Sequence, residues 1–229
     1  MTKFDAYAAD YDAALHQGLA ATGEDKDYFA SGRIAWLGHC LKRLRDAPRS
    51  AMDFGCGTGS ATPFLFEHIG VESVLGLDVS PASVETAQKT HTSDAATFLL
   101  FDQYDPAAQI DLAFSNGVFH HIVPNERPQA VDYLYRSLRA GGLLAVWENN
   151  PWNPGTRYVM SRIPFDRDAI TLTAGEARAL LRAGGFEILR TDFLFIFPRA
   201  LGMLRGLERF VTRLPLGGQY QILCRKPRA

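Results

Sequence analysis

From residue 49 onward the chain alternates short apolar runs with amphipathic stretches, the pattern of a parallel sheet covered by helices on both faces. Strands are expected over residues 50–54, 73–79, 97–101, 110–115 and 143–148, with two more over 186–197 and 219–225 and a helix over 200–214 between those two. Helix ends mark the connections. Ser80-Pro81 is an N-cap followed by proline at the first helical position, and Thr173 to Glu176 has capping-box spacing. Gly141-Gly142 and Gly184-Gly185 read as helix stops. Ala130, Val131, Leu134, Tyr135 and Leu138 share one face of a helix over 126–140, which can cover the sheet. Upstream, a helix over 27–45 places Phe29, Trp36, Leu37, Cys40, Leu41 and Leu44 at helical spacing, and Pro48 ends it. With no internal repeat, low-complexity stretch or linker, the expectation is one doubly wound, Rossmann-like α/β domain over 1–229. Residues 1–48 form its N-terminal helical cap, and 49–229 form the sheet core with acceptor-side loops.

Charge narrows the function. Of 229 residues 47% are hydrophobic, enough for a sizeable core, and 24 Lys plus Arg against 25 Asp plus Glu leave a net charge of -1. No global positive field collects phosphates, so a nucleic-acid partner is not expected. Cys40, Cys56 and Cys224 are odd in number and in no metal-ligand pattern, which suits a reducing compartment. Residues 1–12 carry acids where a signal peptide needs an apolar run, and the longest apolar run, 193–197, is far too short to span a bilayer. A cytoplasmic location without an integral membrane segment follows as the expectation. Nothing in the pattern specifies an oligomeric state.

The strongest local signal is Ala51-Met52-Asp53-Phe54-Gly55-Cys56-Gly57-Thr58-Gly59-Ser60, an apolar strand that delivers an acid into a glycine turn opening a helix. Glycines there let a ligand approach the backbone at the carboxyl ends of the strands. A dinucleotide fingerprint has glycines at its first, third and sixth places, but here the sixth place is Ser60, and Asp53 would set a negative charge beside a pyrophosphate. S-adenosylmethionine carries an ammonium and a sulfonium instead, so the acid favours it over NAD and disfavours an oxidoreductase. Asp78, at the end of the second strand, can accept both ribose hydroxyls, and Asp102, at the end of the third, can accept from an adenine amino group.

With these motifs, together with Phe101-Asp102 and Ser115-Asn116-Gly117-Val118-Phe119-His120-His121-Ile122, the chain resembles class I S-adenosylmethionine-dependent methyltransferases from Phe4 to its final strand. The resemblance implies a seven-stranded, mostly parallel sheet with an antiparallel last strand. It implies S-adenosyl-L-methionine as cofactor, with ribose on Asp78 and its neighbour Val79, adenine on Asp102, and methionine on the glycine loop (Asp53, Gly55, Cys56, Gly57, Gly59) and on Asn116 and Gly117. In many relatives an N-terminal Tyr-x-x-x-Tyr-Asp closes over the cofactor; Tyr7 to Asp12 matches it and makes Tyr11 a candidate for the methionine end.

Acceptor chemistry belongs at the same sheet edge. Methyl transfer is an in-line displacement, so the protein aligns the nucleophile, excludes water and, for a hydroxyl, removes a proton. His120 and His121 are the candidate bases, although adjacent histidines at a helix start also cap or pack; His16, Tyr158 and Glu148 are further candidates. Some relatives bind a metal through Glu-x-x-Glu-His at the equivalent of Gly117 to His121. Here Gly117 and His120 replace both acids, so no metal site is expected. The segment also lacks the Asp-Pro-Pro-Tyr pattern of base methylation, which with the charge argues against a nucleic-acid acceptor. After the fifth strand, Asn150-Pro151-Trp152-Asn153-Pro154 is a stiff loop whose aromatic and amides suit a pocket wall, making Asn150, Trp152 and Asn153 candidate substrate contacts. It resembles relatives acting on sugars, lipid-linked molecules and natural products. In the expected helix over 200–214, Leu201, Leu204, Leu207, Phe210, Val211 and Leu214 form a core face, with Arg205, Arg209 and Arg213 on a solvated one or against an anionic substrate or membrane surface. The expected function is methyl transfer to an oxygen or nitrogen of a small organic acceptor of sugar, lipid-linked or natural-product type. An idle cofactor-binding partner subunit and an RNA methyltransferase are the alternatives.

Overall fold

The computed structural model describes residues 18–166 and 168–228. Its strands are β1 (Ser50–Phe54), β2 (Ser73–Asp78), β3 (Ala96–Leu100), β4 (Ile110–Asn116), β5 (Leu138–Asn149), β6 (Glu187–Leu194) and β7 (Gln219–Arg225). They form one sheet in the order β3-β2-β1-β4-β5-β7-β6. β7 runs antiparallel to both its neighbours and the other pairs are parallel, as the sequence resemblance implied. The longer helices are α1 (Lys26–Leu44), α2 (Pro81–His91), α3 (Arg127–Ser137), α4 (Pro154–Arg162) and α5 (Ala174–Ala183).

The alternation of side chains along a strand divides the core into two layers. On β5, Leu143, Ala145 and Trp147 join Ile34, Leu37, Cys40 and Leu41 of α1 on one face. Leu144 and Val146 join Val131 and Leu134 of α3 and Ala177 and Leu181 of α5 on the other. Thus α1 is a covering layer of the sheet. Its start is set by Asp25, whose side chain accepts from the Tyr28 N–H. The capping box at Thr173 and Glu176 opens α5, and Ser80 caps α2 before Pro81.

Three expected elements differ. Gly141-Gly142 does not separate a helix from a strand: α3 ends at Ser137 and β5 begins at once, with the glycines inside it. Gly141 sits at φ 76, and a Cβ on Gly142 would come within 2.9 Å of the Arg139 carbonyl and 3.2 Å of that of Asp111, so the pair serves the register shift between Ile110 and Leu112. The strand expected over 186–197 stops at Leu194, because Phe195 turns to φ 62 and the chain leaves the sheet. The helix expected over 200–214 is a 3-10 segment, Arg199–Leu207, broken at Leu201, followed by the short turn Glu208–Val211. A 3-10 turn takes three residues rather than 3.6, so the anticipated apolar stripe does not stay in phase. Leu201, Leu207, Phe210 and Leu214 are exposed instead of forming a core face.

Candidate active site

Both halves of the site lie at the carboxyl edge of the parallel strands. On the donor side, Gly55, Gly57 and Gly59 all take positive φ, at 76, 53 and 79°. A Cβ would meet Val118 Cγ2 at 2.4 Å on Gly55 and the His91 ring at 2.9 Å on Gly59, but nothing within 4 Å on Gly57. The outer glycines are therefore held by packing, and the middle one faces open space with its backbone in reach of a ligand. Asp78 braces this loop, accepting the Gly57 N–H at 2.8 Å and the Ser80 N–H at 2.9 Å. Val79 is half-exposed beside it, and Asp102 is exposed in the turn Phe101–Gln103 after β3.

Asp53 is buried near the end of β1. Burial first, and the Asp78 carboxylate second, push its pKa up to about 7 against the opposing pull of Arg33. Such a group gains from a neighbouring cation. Asn116, at the end of β4, has a buried side-chain oxygen without a hydrogen-bond partner, and Gly117 follows at φ 67. A buried acid, an orphaned amide oxygen and an open glycine turn suit a ligand with an ammonium group and hydroxyls. Cys56 corrects the sequence expectation in part. Its thiol packs with Val84, Ala87, Ala96 and Phe98, and its N–H is spent on the Leu77 carbonyl at 2.9 Å, so the side chain offers a ligand nothing. Tyr11, with Tyr7 and His16, lies outside the described residues.

The acceptor side centres on the turn Phe119–His121 after β4. Glu148, buried near the end of β5, accepts the Phe119 N–H at 2.7 Å and faces His120 Nδ1 at 2.6 Å. Arg127 fastens the turn from α3, donating to the carbonyls of Phe119 at 3.0 Å, Ile122 at 2.9 Å and Ile170. From the segment after α4, Asp166 sets Oδ1 3.5 Å from His120 Nε2 and 3.4 Å from His121 Nε2. Burial opposes a charge on His120, but Glu148 and Asp166 outweigh it and lift the imidazole pKa to about 10. In that state His120 holds its proton too tightly to act as a base, which corrects its expected role. His121 is less buried and lines the same cavity.

That cavity, of about 460 Å³, runs from Ser60, Asn116 and Gly117 past both histidines to Asn153, Tyr158 and the loop Phe195 to Pro198. Lys26, Arg33 and Arg205 line it against Glu24 and Asp166. Arg205 is 2.8 Å from Glu24 and stacks over Tyr28, so it is not on a solvated face as expected. Of the loop after β5, Asn153 reaches the cavity while its amide caps α4 and donates to the Leu216 carbonyl at 2.7 Å. Asn150 and Trp152 do not line it. Asn150 is buried, with its amide donated to the carbonyls of Pro215 and Gly217 and its oxygen accepting from the Trp152 N–H. The Trp152 ring points outward, 63% exposed. The substrate contacts expected of these two are corrected accordingly. Arg33 and Asp166 were not singled out as pocket residues, and Glu208, whose carboxylate accepts from the N–H groups of Phe195, Ile196 and Phe197, holds the loop at the cavity's edge.

A methyltransferase-domain family model matches residues 52–144. The chain is 27% identical over 237 residues to a trans-aconitate 2-methyltransferase of Methylobacterium nodulans, covering 95% of this chain and 87% of that protein. A trans-aconitate 2-methyltransferase of Rhizobium leguminosarum is 31% identical over 136 residues, which is 59% of this chain and 52%, about half, of the relative's length. Among solved structures, a chain of the complex between the Haloferax volcanii Trm112 methyltransferase activator and a methyltransferase superposes with a TM-score of 0.67 at 21% identity, covering 100% of this chain and 99% of that one. An S-adenosylmethionine-dependent methyltransferase from Mesorhizobium loti superposes at 0.59 with 19% identity, covering 81% and 95%. The fold, the glycine-loop site and the methyltransferase-domain match over residues 52–144 make the chain similar to class I S-adenosylmethionine-dependent methyltransferases.

Proposed function

We propose that the protein transfers the methyl group of S-adenosyl-L-methionine to a carboxylate oxygen of a small organic acid. The observation that carries this reading is that three basic side chains, Lys26, Arg33 and Arg205, line one cavity together with His121. The named acceptors of the relatives agree, since trans-aconitate and the malonyl group of a malonyl-[acyl-carrier protein] O-methyltransferase from Ilyobacter polytropus, 34% identical over 97 residues, both present carboxylates. This replaces the sugar, lipid-linked or natural-product acceptor expected from the loop after β5, two of whose three residues stand away from the cavity. When bound, the donor supplies a methyl group on a sulfonium, open to in-line displacement. Asp53 and Asn116 would hold its aminoacyl end, Asp78 with its neighbour Val79 its ribose, and Asp102 its base. Gly57 and Gly117 would give its backbone room. A carboxylate is already nucleophilic at neutral pH, so the chain's own task is to orient it and exclude water rather than to remove a proton.

The acceptor is a small molecule in this reading, with no nucleic acid, since the net charge is -1. The three cysteines are free and buried, which favours a cytoplasmic setting, and among the described residues no helix is long and apolar enough to cross a membrane. The test is transfer of labelled methyl from S-adenosylmethionine to a panel of di- and tricarboxylates, neutral sugars, amines and bulk tRNA. Methyl esters release methanol in alkali, whereas methyl ethers and methylamines do not. Alkali-labile label on a carboxylate is the expected result. Alkali-stable label on a sugar, an amine or RNA would overturn the assignment, and donor binding without any transfer would make the chain an idle subunit.

A further inference from the structure

The acceptor cavity carries a second piece of chemistry that methyl transfer to a carboxylate does not need. His120 Nδ1 faces Glu148 at 2.6 Å, and because the carboxylate accepts, that nitrogen bears a proton and Nε2, on the far side of the ring, is the atom left for a second proton or an ion. There it meets Asp166 Oδ1 at 3.5 Å, and His121 Nε2 meets the same oxygen at 3.4 Å. Neither His120 Nε2 nor Asp166 Oδ1 has a hydrogen-bond partner, and both side chains are more than nine-tenths buried. An imidazole nitrogen and a carboxylate oxygen thus face one another on the cavity wall, and either a second proton on the ring or a metal cation would fill the gap between them.

The three atoms are spaced as metal ligands are. Ligands about 2.1 Å from a tetrahedral ion stand roughly 3.4 Å apart, and these three lie within 4.8 Å of one another with two of the edges at 3.4 and 3.5 Å. Two imidazoles and one carboxylate are a donor set for a divalent transition ion such as zinc, manganese or ferrous iron. The hydrogen bond from His120 to Glu148 is the outer contact that fixes a ligating imidazole's tautomer and tilt. Sequence spacing conceals the site, because the carboxylate missing from Gly117 to His121 arrives from Asp166, beyond β5 and α4.

We propose that His120, His121 and Asp166 bind one divalent transition-metal ion, oriented by Glu148, with its remaining positions open to the acceptor cavity. All three ligands line that cavity, so an ion there would present a Lewis acid to one carboxylate of a polycarboxylate acceptor. This last role rests on the carboxylate reading, whereas the ion site does not.

Chelator-dialysed protein titrated with Co²⁺ and followed by its visible absorption is the test, with Zn²⁺ calorimetry alongside. About one Co²⁺ per chain is expected, bound at least roughly 10-fold more weakly by Asp166→Asn and His121→Gln and 10–100-fold more weakly by Glu148→Gln, and unchanged in Trp152→Ala. Circular dichroism and S-adenosylhomocysteine affinity check that each variant is folded. Wild-type protein that binds no Co²⁺ stoichiometrically, with a proton alone filling the gap, would overturn the site, as would full affinity in folded Asp166→Asn and His121→Gln. Ion binding without methyl-ester formation would leave the site standing and remove the acceptor assignment. Undiminished methyl-ester formation by protein that binds no ion would do the reverse.

Discussion

Asp53 and the three glycines of the donor side sit within residues 53–59, fixed by one strand and its turn, with Asp78 two residues from the Ser80 that caps the next helix. The acceptor cavity draws Arg33 from α1, His120 from the turn after β4, Asp166 from beyond α4 and Arg205 from a 3-10 segment near the C-terminus. The first arrangement is local and is set by backbone geometry: positive φ at Gly57 and amide bonds to Asp78. The second is held by side chains crossing between elements, such as Glu148 to the Phe119 N–H and Asn150 to Gly217. A local frame survives loss of one side chain, whereas a cross-braced one transmits the loss.

The largest effect is expected on that cross-bracing. Glu148→Ala removes the buried partner of His120 and of the Phe119 N–H; breaking such a pair costs about 3–5 kcal/mol, to be read from urea denaturation. A change below 1 kcal/mol would show that the turn Phe119–His121 is held by Arg127 alone. Next, Asn150→Ala orphans the carbonyls of Pro215 and Gly217 at a cost of about 1–3 kcal/mol. It should lower stability and leave donor affinity intact, because those carbonyls lie before β7 and not on the glycine loop.

Much of the donor side's geometry was legible because its residues are contiguous: the glycines stand where the backbone is left-handed, and Asp53 and Asp78 stand at the carboxyl ends of their strands. The strand positions followed from alternating apolar runs, with β7 coinciding with residues 219–225, whereas the antiparallel last strand came from the resemblance. Cys56 was misread because membership of a loop does not say which way a side chain points. Asn150 and Trp152 were misread because loop composition fits a hydrogen-bonded brace as well as a pocket wall. Asp166 carried no signal at all, since its partners precede it by a strand and a helix. The segment 199–211 misled because the apolar stripe presumed α-helical phase, which the break at Leu201 removes.

A subtler contrast concerns pH. The folded state holds the Asp53 proton up to about pH 7, whereas an exposed aspartate releases it near ~3.9. Between these values the native state binds more protons than the unfolded one, so this group's contribution to stability falls as pH rises from about 4 to about 7. A cationic donor beside Asp53 favours the ionised form, so donor affinity should rise over the same window, approaching tenfold per pH unit below the pKa. Asp53→Asn should flatten that rise in calorimetric titrations from pH 5.5 to 7; an unaltered slope would place the titrating group elsewhere. The smallest effect belongs to Trp152→Ala, whose exposed ring leaves stability within about 0.5 kcal/mol and should leave acceptor turnover near wild type. A large loss of turnover would return Trp152 to the pocket wall.

The division between the two halves is tested most directly by calorimetric titration of S-adenosylhomocysteine into wild type, Asp78→Ala and Asp166→Asn. Loss of ribose hydrogen bonds to a charged acceptor, worth roughly 1.5–3 kcal/mol each, should weaken Asp78→Ala by about tenfold or more, while Asp166→Asn binds as wild type does. Undiminished affinity in Asp78→Ala, or a comparable loss in Asp166→Asn, would contradict the separation of donor and acceptor sides.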